Sequence, residues 1–488
     1  MNRLRVLDEY PGEQYDRAWR ELVFPRDYRN PEPRSRYHLV VIGAGPAGLV
    51  SAIAAAGLGA RVALVERRAM GGDCLNVGCV PSKSLLEFTR RNPGCSADEA
   101  FAWLRGVRAE VARHDSVQRY RSHGVHVFLG TAHFLDRETV AVREHRLRAR
   151  RFVIATGARP AMPPISGLAA CEPLTNESIF DLVAPPDRLS ILGAGPIGCE
   201  MAQAMARLGV RVHLFEMADR VLPSESAGAG SALAKALESD GVTLHLGSLV
   251  SDVTVGDNGP VLHADGVSVE AGRVLVAAGR RANVESLQLH RAGVEVRDGL
   301  IAVDNRLRTT NPNIYAAGDV CSRLQFTHHA DAHARIVVRN ALFAPTATTG
   351  SLMVPRCVYT QPEVAQVGLT RDELDLAGTP YDRYRLEFGD LDRGKAAGDR
   401  HGFVEVTTRK GRDRILGGSI VAADAGEQIT GLCFAMTNGL GLGALGKTIL
   451  PYPTRSEYLR RLSDDYNRTR LTPLARTLVR GWLRYAAR

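Results

Sequence analysis

The sequence predicts an α/β protein: two domains built on parallel sheets, then a third of α+β type. Three observations predict it. An apolar run at residues 38–42 passes directly into Gly43-Ala44-Gly45-Pro46-Ala47-Gly48 and an Ala-rich stretch. The same pattern returns at residues 189–192, followed by Gly193-Ala194-Gly195-Pro196-Ile197-Gly198. From Val354 onward the texture changes to short strand-like runs with no glycine turn. A buried parallel strand, a glycine turn and a helix form the Rossmann-like dinucleotide-binding unit, and its recurrence implies two dinucleotides.

The chain of 488 residues has room for about three domains. Its 45% hydrophobic and 24% charged residues are those of a globular protein. The net charge of +9 comes from dispersed arginines, which suit phosphate-bearing cofactors but form no nucleic-acid patch. Eight cysteines are too few for a disulfide-stapled secreted scaffold. Residues 1–10 are charged and lack the apolar core of a signal peptide, and no run of about 18 apolar residues occurs, so a cytoplasmic location is expected.

Taken in order, residues 1–36 are polar and Pro-rich and read as an extension packed loosely on the first domain. Residues 37–160 form the first part of a nucleotide domain. Its second strand ends at Glu66, placed to hold a ribose hydroxyl, while the glycines let a pyrophosphate approach the helix N-terminus. Residues 84–125 read as helical. Residues 125–134 and 139–147 read as strands of a small sheet, and 152–158 as a separate buried strand ending near Gly157. Residues 161–285 form the second nucleotide domain. Glu216 ends its second strand where a carboxylate repels a 2′-phosphate, favouring NAD(H) over NADP(H); Arg220 nearby pulls the other way. Residues 286–350 return to the first domain, with Asp319 at the carboxyl end of a strand, the ligand side of such a sheet. His328, His329, Asp331 and His333 follow, read as packing beside a cofactor rather than as a metal site. Residues 351–460 form the α+β domain, suited to an interface or lid. Residues 461–488 form a tail in which Arg476, Arg480, Arg484 and Arg488 lie opposite Leu474, Leu478 and Trp482. Such a basic amphipathic helix suits an anionic membrane surface; packing on its own domain is the plainer expectation.

The stretch Cys74-Leu75-Asn76-Val77-Gly78-Cys79-Val80-Pro81-Ser82-Lys83 follows Glu66 closely. Its cysteine spacing matches neither zinc sites nor the Cys-x-x-Cys motif. Gly72 and Gly78 allow sharp bends, and Pro81 suits a first helical turn, placing Cys79 near a helix N-terminus where thiolate is favoured. Two such thiols form a redox pair; the plain alternative is two buried cysteines near a turn. Cys95, Cys171, Cys199, Cys321, Cys357 and Cys433 have no partner at readable spacing and are expected to be buried thiols.

With Gly71-Gly72-Asp73, Ala155-Thr156-Gly157, Gly279-Arg280, Gly318-Asp319 and Tyr359-Thr360-Gln361-Pro362-Glu363, the chain resembles the class I pyridine nucleotide–disulfide oxidoreductases over residues 37–460. These include dihydrolipoyl dehydrogenase, glutathione reductase and mercuric reductase. The resemblance implies two Rossmann-like domains for FAD and NAD(P) and a C-terminal α+β dimerisation domain, hence a homodimer. It implies that Gly43, Gly45, Gly48, Glu66, Gly72, Lys83, Gly157 and Asp319 serve FAD, and Gly193, Gly195, Gly198, Glu216 and Gly279 the nicotinamide dinucleotide. Cys79 would face the flavin, Cys74 would meet substrate, and Lys83 and Glu200 match an ion pair near the flavin.

Two departures shape the functional expectation. Where the family places a partner-donated base as His-Pro-x-x-x-Glu, this chain has Tyr452-Pro453-Thr454-Arg455-Ser456-Glu457. A Tyr of pKa about 10 is not the base that a dithiol substrate needs near neutrality, but two thiolates bind a soft metal ion without one. Tyr452 and its neighbours resemble the mercuric reductase branch. That branch ends in a cysteine pair, whereas this chain ends Tyr485-Ala486-Ala487-Arg488. The expectation is NAD(P)H oxidation through FAD and Cys74–Cys79 to a metal-ion or small-molecule acceptor. The alternatives are a dihydrolipoyl dehydrogenase with an unusual base and a redox-sensing flavoprotein with a membrane-touching tail.

Overall fold

The computed structural model describes residues 14–257, 259–399 and 401–487. The chain divides into two compact units. One gathers the chain up to Gly193 with Met201–Phe215 and Ser248–Ser351; the other gathers Ala194–Glu200, Glu216–Gly247 and the chain from Leu352.

The first unit is organised by a sheet whose central strand, β1 (Tyr37–Ile42), lies parallel to β2 (Val62–Glu66), with β3 (His126–Leu129) parallel beyond it. β4 (Ala132–Phe134) and β5 (Thr139–Val142) are antiparallel to each other. The expectation of a small-sheet strand followed by a separate buried strand is corrected. β6 (His145–Ile154) is one ten-residue strand, paired antiparallel with β5 at its start and parallel with β1 at its end. Its first half alternates inward and outward while Phe152, Val153 and Ile154 are wholly buried, so one strand carries two patterns that read as two elements. β3 likewise belongs to the parallel sheet rather than to the small one. Two crossover strands, β7 (Ala158–Pro160) and β11 (Arg280–Ala282), pair with each other, and β12 (Ile314–Ala316) joins β6. A second parallel sheet places β8 (Arg188–Leu192) between β9 (Arg211–Glu216) and β10 (Arg273–Val276).

The helices that matter for the site are α2 (Pro46–Gly57), α3 (Gly72–Val77), α4 (Cys79–Arg91), α5 (Ala97–Ala112), α6 (Pro196–Arg207) and α7 (Thr327–Leu342). Ahead of them, α1 (Gln14–Val23) corrects the expectation of a loosely packed extension for its described part, residues 1–13 lying outside the described residues. Asp16, Trp19 and Val23 recur on one helical face and are 1%, 3% and 0% exposed.

The second unit holds a five-stranded antiparallel sheet in the order β13 (Arg356–Val358), β14 (Glu363–Gly368), β17 (Ile415–Ala422), β16 (Phe403–Arg409), β15 (Tyr381–Glu387). Val367, Val406, Ile420, Leu432, Tyr458 and Leu462 form its core, the last two from α8 (Tyr458–Thr469). The terminal helix α9 (Pro473–Ala486) forms as the amphipathic pattern predicts, but none of its residues is buried, which overturns the expectation that it packs on its own domain. Among the described residues no helix is long and apolar enough to cross a membrane.

Candidate active site

The two cysteines sit on consecutive helices. Cys74 lies on α3, and Cys79 is the first residue of α4, as the reading of Pro81 predicts. The segment is pressed against the first glycine turn. Gly72 has φ of +58°, and a Cβ there would stand 2.5 Å from the Cα of Gly45. Only glycine permits both the conformation and the approach.

Cys79 Sγ lies 3.4 Å from the Thr327 hydroxyl, at the start of α7. Hydrogen bonding to Cys79 pushes the Cys74 thiol well above its ordinary pKa; burial and the charge of Cys79 add to this, and Thr327 opposes it. The pair therefore resists carrying two negative charges. Asp319 belongs to the same electrostatic neighbourhood. Burial raises its pKa to about 6 against the pull of Arg280, and the charges of Asp73 and Cys79 push the same way as burial. Arg280 contacts Asp73, donates to the Ala158 carbonyl at 2.9 Å and stands 3.9 Å from Asp319.

Behind Asp319, the His333 ring accepts the Gly318 N–H at Nδ1, 3.2 Å away, and packs on His329 with ring centroids 4.0 Å apart. Burial, then the neighbouring His329, lowers the His333 pKa to about 4, so the ring is neutral and able to accept. His328 is exposed and Asp331 pairs with Arg335 at 2.8 Å. Among the described residues no three His, Cys, Asp or Glu side chains converge into a metal-binding group.

The first turn fits an anionic dinucleotide. α2 starts at Gly45 with no side-chain cap, which leaves its first N–H groups for phosphate oxygens. Gly43 takes φ of +104°, and a Cβ there would lie 2.3 Å from the Ala155 carbonyl oxygen. Glu66 accepts the Ala44 N–H and the Arg68 N–H, each at 2.7 Å, so its carboxylate first locks the turn, and only its remaining lone pairs face a ribose. Gly157 and Gly279 flank the crossover, where Asn283 donates to the Thr156 carbonyl at 2.9 Å and accepts the Thr156 hydroxyl through its own carbonyl at 2.8 Å. Lys83 lies one turn beyond Cys79, half-buried.

In the second turn Glu216 accepts the Ala194 N–H at 2.8 Å and the Ala218 N–H at 3.0 Å. Arg220, which the sequence left pulling toward NADP(H), donates to Asp372 at 2.7 Å and to the Pro223 carbonyl at 3.2 Å. Glu200 is 2% exposed and accepts the Tyr359 N–H at 3.1 Å. Tyr452 is 71% exposed and its hydroxyl donates to Asp392 at 2.6 Å; that bond and the charge of Asp392 raise the phenol's pKa. Glu457 pairs with Arg461 at 2.9 Å. Of the six other cysteines only Cys199 is buried; Cys95, Cys171, Cys321, Cys357 and Cys433 are half-buried, which corrects the expectation of buried thiols throughout.

Sequence reading missed Thr327 as a neighbour of the dithiol, and it missed Trp19, Asp16 and Arg108 behind it. A Thr opening the helix after Gly318-Asp319 is the one signal that pointed to the first; the others are long-range pairings without a local pattern.

A family model described as pyridine nucleotide-disulphide oxidoreductase matches residues 37–334, and the model of that family's dimerisation domain matches residues 354–463. The mercuric reductase of Streptomyces lividans is 33% identical over 459 residues, 88% of this chain and 96% of that one. The dihydrolipoyl dehydrogenase of Chlorobaculum tepidum is 31% identical over 457 residues, 88% of this chain and 97% of that one. The Cu(II) complex of the HOCl-induced flavoprotein disulfide reductase RclA from Escherichia coli superposes with a TM-score of 0.82 at 28% identity, covering 88% of this chain and 99% of that one.

Proposed function

The chain belongs to the pyridine nucleotide-disulphide oxidoreductase family, and we propose that within it this enzyme passes electrons from NADH through the Cys74–Cys79 pair to a thiophilic metal ion. It is an FAD-dependent oxidoreductase that uses a pyridine nucleotide. The observation that carries the choice of acceptor is Tyr452. Its hydroxyl is engaged by Asp392 and its pKa is raised, so it offers no phenolate near neutrality. Glu457, which would orient a histidine, is paired with Arg461 instead. A dithiol or disulfide substrate needs a base to move its protons; a soft metal ion needs only the two sulfurs. The metals in the names of the mercuric reductase and the RclA complex agree with this chemistry.

The residues have separable roles. Gly43, Gly45, Gly48, Glu66, Gly72, Gly157, Lys83 and Asp319 hold FAD, which when bound relays the electron pair to sulfur. Gly193, Gly195, Gly198, Glu216 and Gly279 hold NADH, and the engagement of Arg220 by Asp372 favours NADH over NADPH. Glu200 fixes the Tyr359 backbone. Cys79 carries the thiolate and Cys74 the retained proton. The hydride equivalent from NADH opens the disulfide to one thiolate and one thiol, with no further proton taken up. Hg(II) bound by both sulfurs takes the two electrons and leaves as Hg(0), the one proton of Cys74 departs and the disulfide re-forms; two Cu(II) ions taking one electron each balance equally. Two copies pair through residues 354–463, so that Tyr452 and Glu457 complete the partner's site.

The test is anaerobic turnover with NADH or NADPH, offering thiol-complexed Hg(II), Cu(II), or dihydrolipoamide with NAD. The expected result is metal-dependent NADH oxidation, slower with NADPH by about tenfold and lost in Cys79→Ser. Brisk NAD reduction by dihydrolipoamide would overturn the proposal in favour of a lipoamide enzyme.

A further inference from the structure

The redox helices are held from behind by the N-terminal helix. Trp19 Nε1 donates to Asn76 Oδ1 at 2.8 Å, and Asn76 lies between the two cysteines. Asn76 Nδ2 in turn donates to the carbonyls of Gly72 at 2.8 Å and Met70 at 3.0 Å. The Met70 N–H donates to the Val23 carbonyl at 3.1 Å, which closes a loop between the end of α1 and the start of the redox segment. The last carbonyls of α3, which its own backbone cannot satisfy, are taken by side chains from elsewhere: Asn76 by Arg108 at 3.3 Å and Val77 by Asn176 at 3.0 Å. Arg108 is 1% exposed, stands 4.2 Å over the Trp19 ring and pairs with Asp16 of α1 at 2.8 Å and with Asp181 at 3.0 Å. A buried cation with two carboxylates and an aromatic face does not shift without stranding its charge.

We propose that α1 is a positioning element for the dithiol, acting through Trp19 on Asn76, and that it sets the reactivity and reduction potential of the Cys74–Cys79 pair. The proposal rests on the redox reading of that pair. A disulfide tolerates only a narrow range of Cα separation and torsion. The backbone that fixes that separation is α3 and Gly78, and α3 is the element that Trp19 and Arg108 hold. A dithiol held in disulfide-ready geometry is oxidised more easily than one free to drift, so loosening α3 shifts the thiol–disulfide equilibrium.

The test uses the full chain carrying its flavin. The fraction of Cys74–Cys79 oxidised is measured by alkylation and mass spectrometry across dithiothreitol redox buffers, with the rate of Cys74 alkylation as second readout. Trp19→Phe keeps an aromatic side chain beside Arg108 and removes the N–H together with the indole's five-membered ring. It should shift the equilibrium constant by about fivefold, close to 20 mV for a two-electron couple, and raise the alkylation rate. In an Asn76→Ala background the same substitution should add nothing. Tyr28→Phe, which removes a hydrogen bond of the same extension to the Val127 carbonyl, should leave both readouts unchanged. If Trp19→Phe lowers the melting temperature yet leaves equilibrium and alkylation unmoved, the helix is structural only and the proposal fails. A wild type with no dithiol–disulfide equilibrium at all would instead overturn the redox reading beneath it.

A separate observation concerns α9. Leu474, Leu478, Trp482 and Tyr485 are 65–73% exposed, while Arg476, Arg480 and Arg484 share the helix and no Asp or Glu does. We infer that this helix lies on an anionic lipid surface. Its charge is one-signed, which complements anionic headgroups, and its apolar residues include the aromatic side chains that settle at a bilayer interface. Each arginine contributes roughly fivefold to partitioning onto anionic lipid. The probe is vesicles of phosphatidylcholine with or without phosphatidylglycerol. Full-length protein should sediment with the anionic vesicles and release at high salt, and the double variant Leu478→Glu, Trp482→Glu should bind at least about tenfold more weakly with unchanged dye reduction by NADH. Failure to bind, or equal binding by the variant, overturns the inference. So does a wild-type assembly that the variant reduces in size, which would assign the stripe to a second copy of the chain.

Discussion

The two glycine turns repeat one design to the level of single hydrogen bonds, then diverge in what they lead to. In the first, the Ala44 carbonyl accepts the Gly71 N–H at 2.8 Å while Glu66 accepts the Ala44 N–H; in the second, the Ala194 carbonyl accepts the Leu222 N–H at 2.9 Å while Glu216 accepts the Ala194 N–H. Gly43 and Gly193 have φ of +104° and +101°. The returning residue is the difference. Gly71 continues into Gly72 and the cysteine helix, which closes over the turn, whereas Leu222 takes φ of +50° and runs on toward Glu225. A Cβ at Gly72 would stand 2.5 Å from the Gly45 Cα, but a Cβ at Gly195 would meet nothing within 4 Å. On the proposed function, the first turn holds the resident ligand and shares its walls with the dithiol. On the same proposal, the second holds a ligand that comes and goes.

The sharpest way to break that contrast is to add one methyl to each side. Gly72→Ala places a Cβ in a left-handed conformation and against backbone that cannot yield. It should cost about 2–4 kcal/mol, read as a lower melting temperature and loss of bound flavin from the purified protein. Gly195→Ala has open space and ordinary φ, so the melting temperature and flavin content should stay at wild-type values while the KM for NADH rises several-fold, about 1 kcal/mol. If both substitutions behaved alike, the distinction between a walled and an open turn would be lost.

The same contrast explains what was legible in the sequence. Both turns, the cysteine pair, the Gly318-Asp319 strand end and the amphipathic tail are local patterns, and each formed where the spacing placed it. The grip of Trp19 on Asn76 spans 57 residues and that of Asp16 on Arg108 spans 92, and a composition rich in Pro and charge gave α1 the look of a loose arm. Tyr452 was readable as a departure from the histidine pattern, but its bond to Asp392 was not, since the two lie 60 residues apart. β6 was misread for the opposite reason: its pattern is local but changes midway, from alternating to continuous burial.

A smaller effect separates the groups behind the first turn, and the signs decide it. Burial first, and then its neighbour His329, lowers His333 from 6.5 to about 4. Its contribution to stability is therefore present above the unfolded value of 6.5 and is lost as pH falls toward 4. Burial first, with Asp73 and Cys79 adding and Arg280 opposing, raises Asp319 from 3.8 to about 6. Its contribution is present below 3.8 and is lost as pH rises toward 6. Each is on the order of 3 kcal/mol, and the windows overlap, so the two slopes oppose each other between about pH 4 and 6. His333→Asn, which keeps an acceptor for the Gly318 N–H, should expose the Asp319 slope, with stability falling as pH rises through that window. Asp319→Asn should expose the His333 slope, with stability rising instead. Urea unfolding of the flavin-free protein at half-unit pH steps reads both. Parallel slopes in the two variants would mean that neither group titrates as its surroundings dictate, and that the turn is held by packing alone.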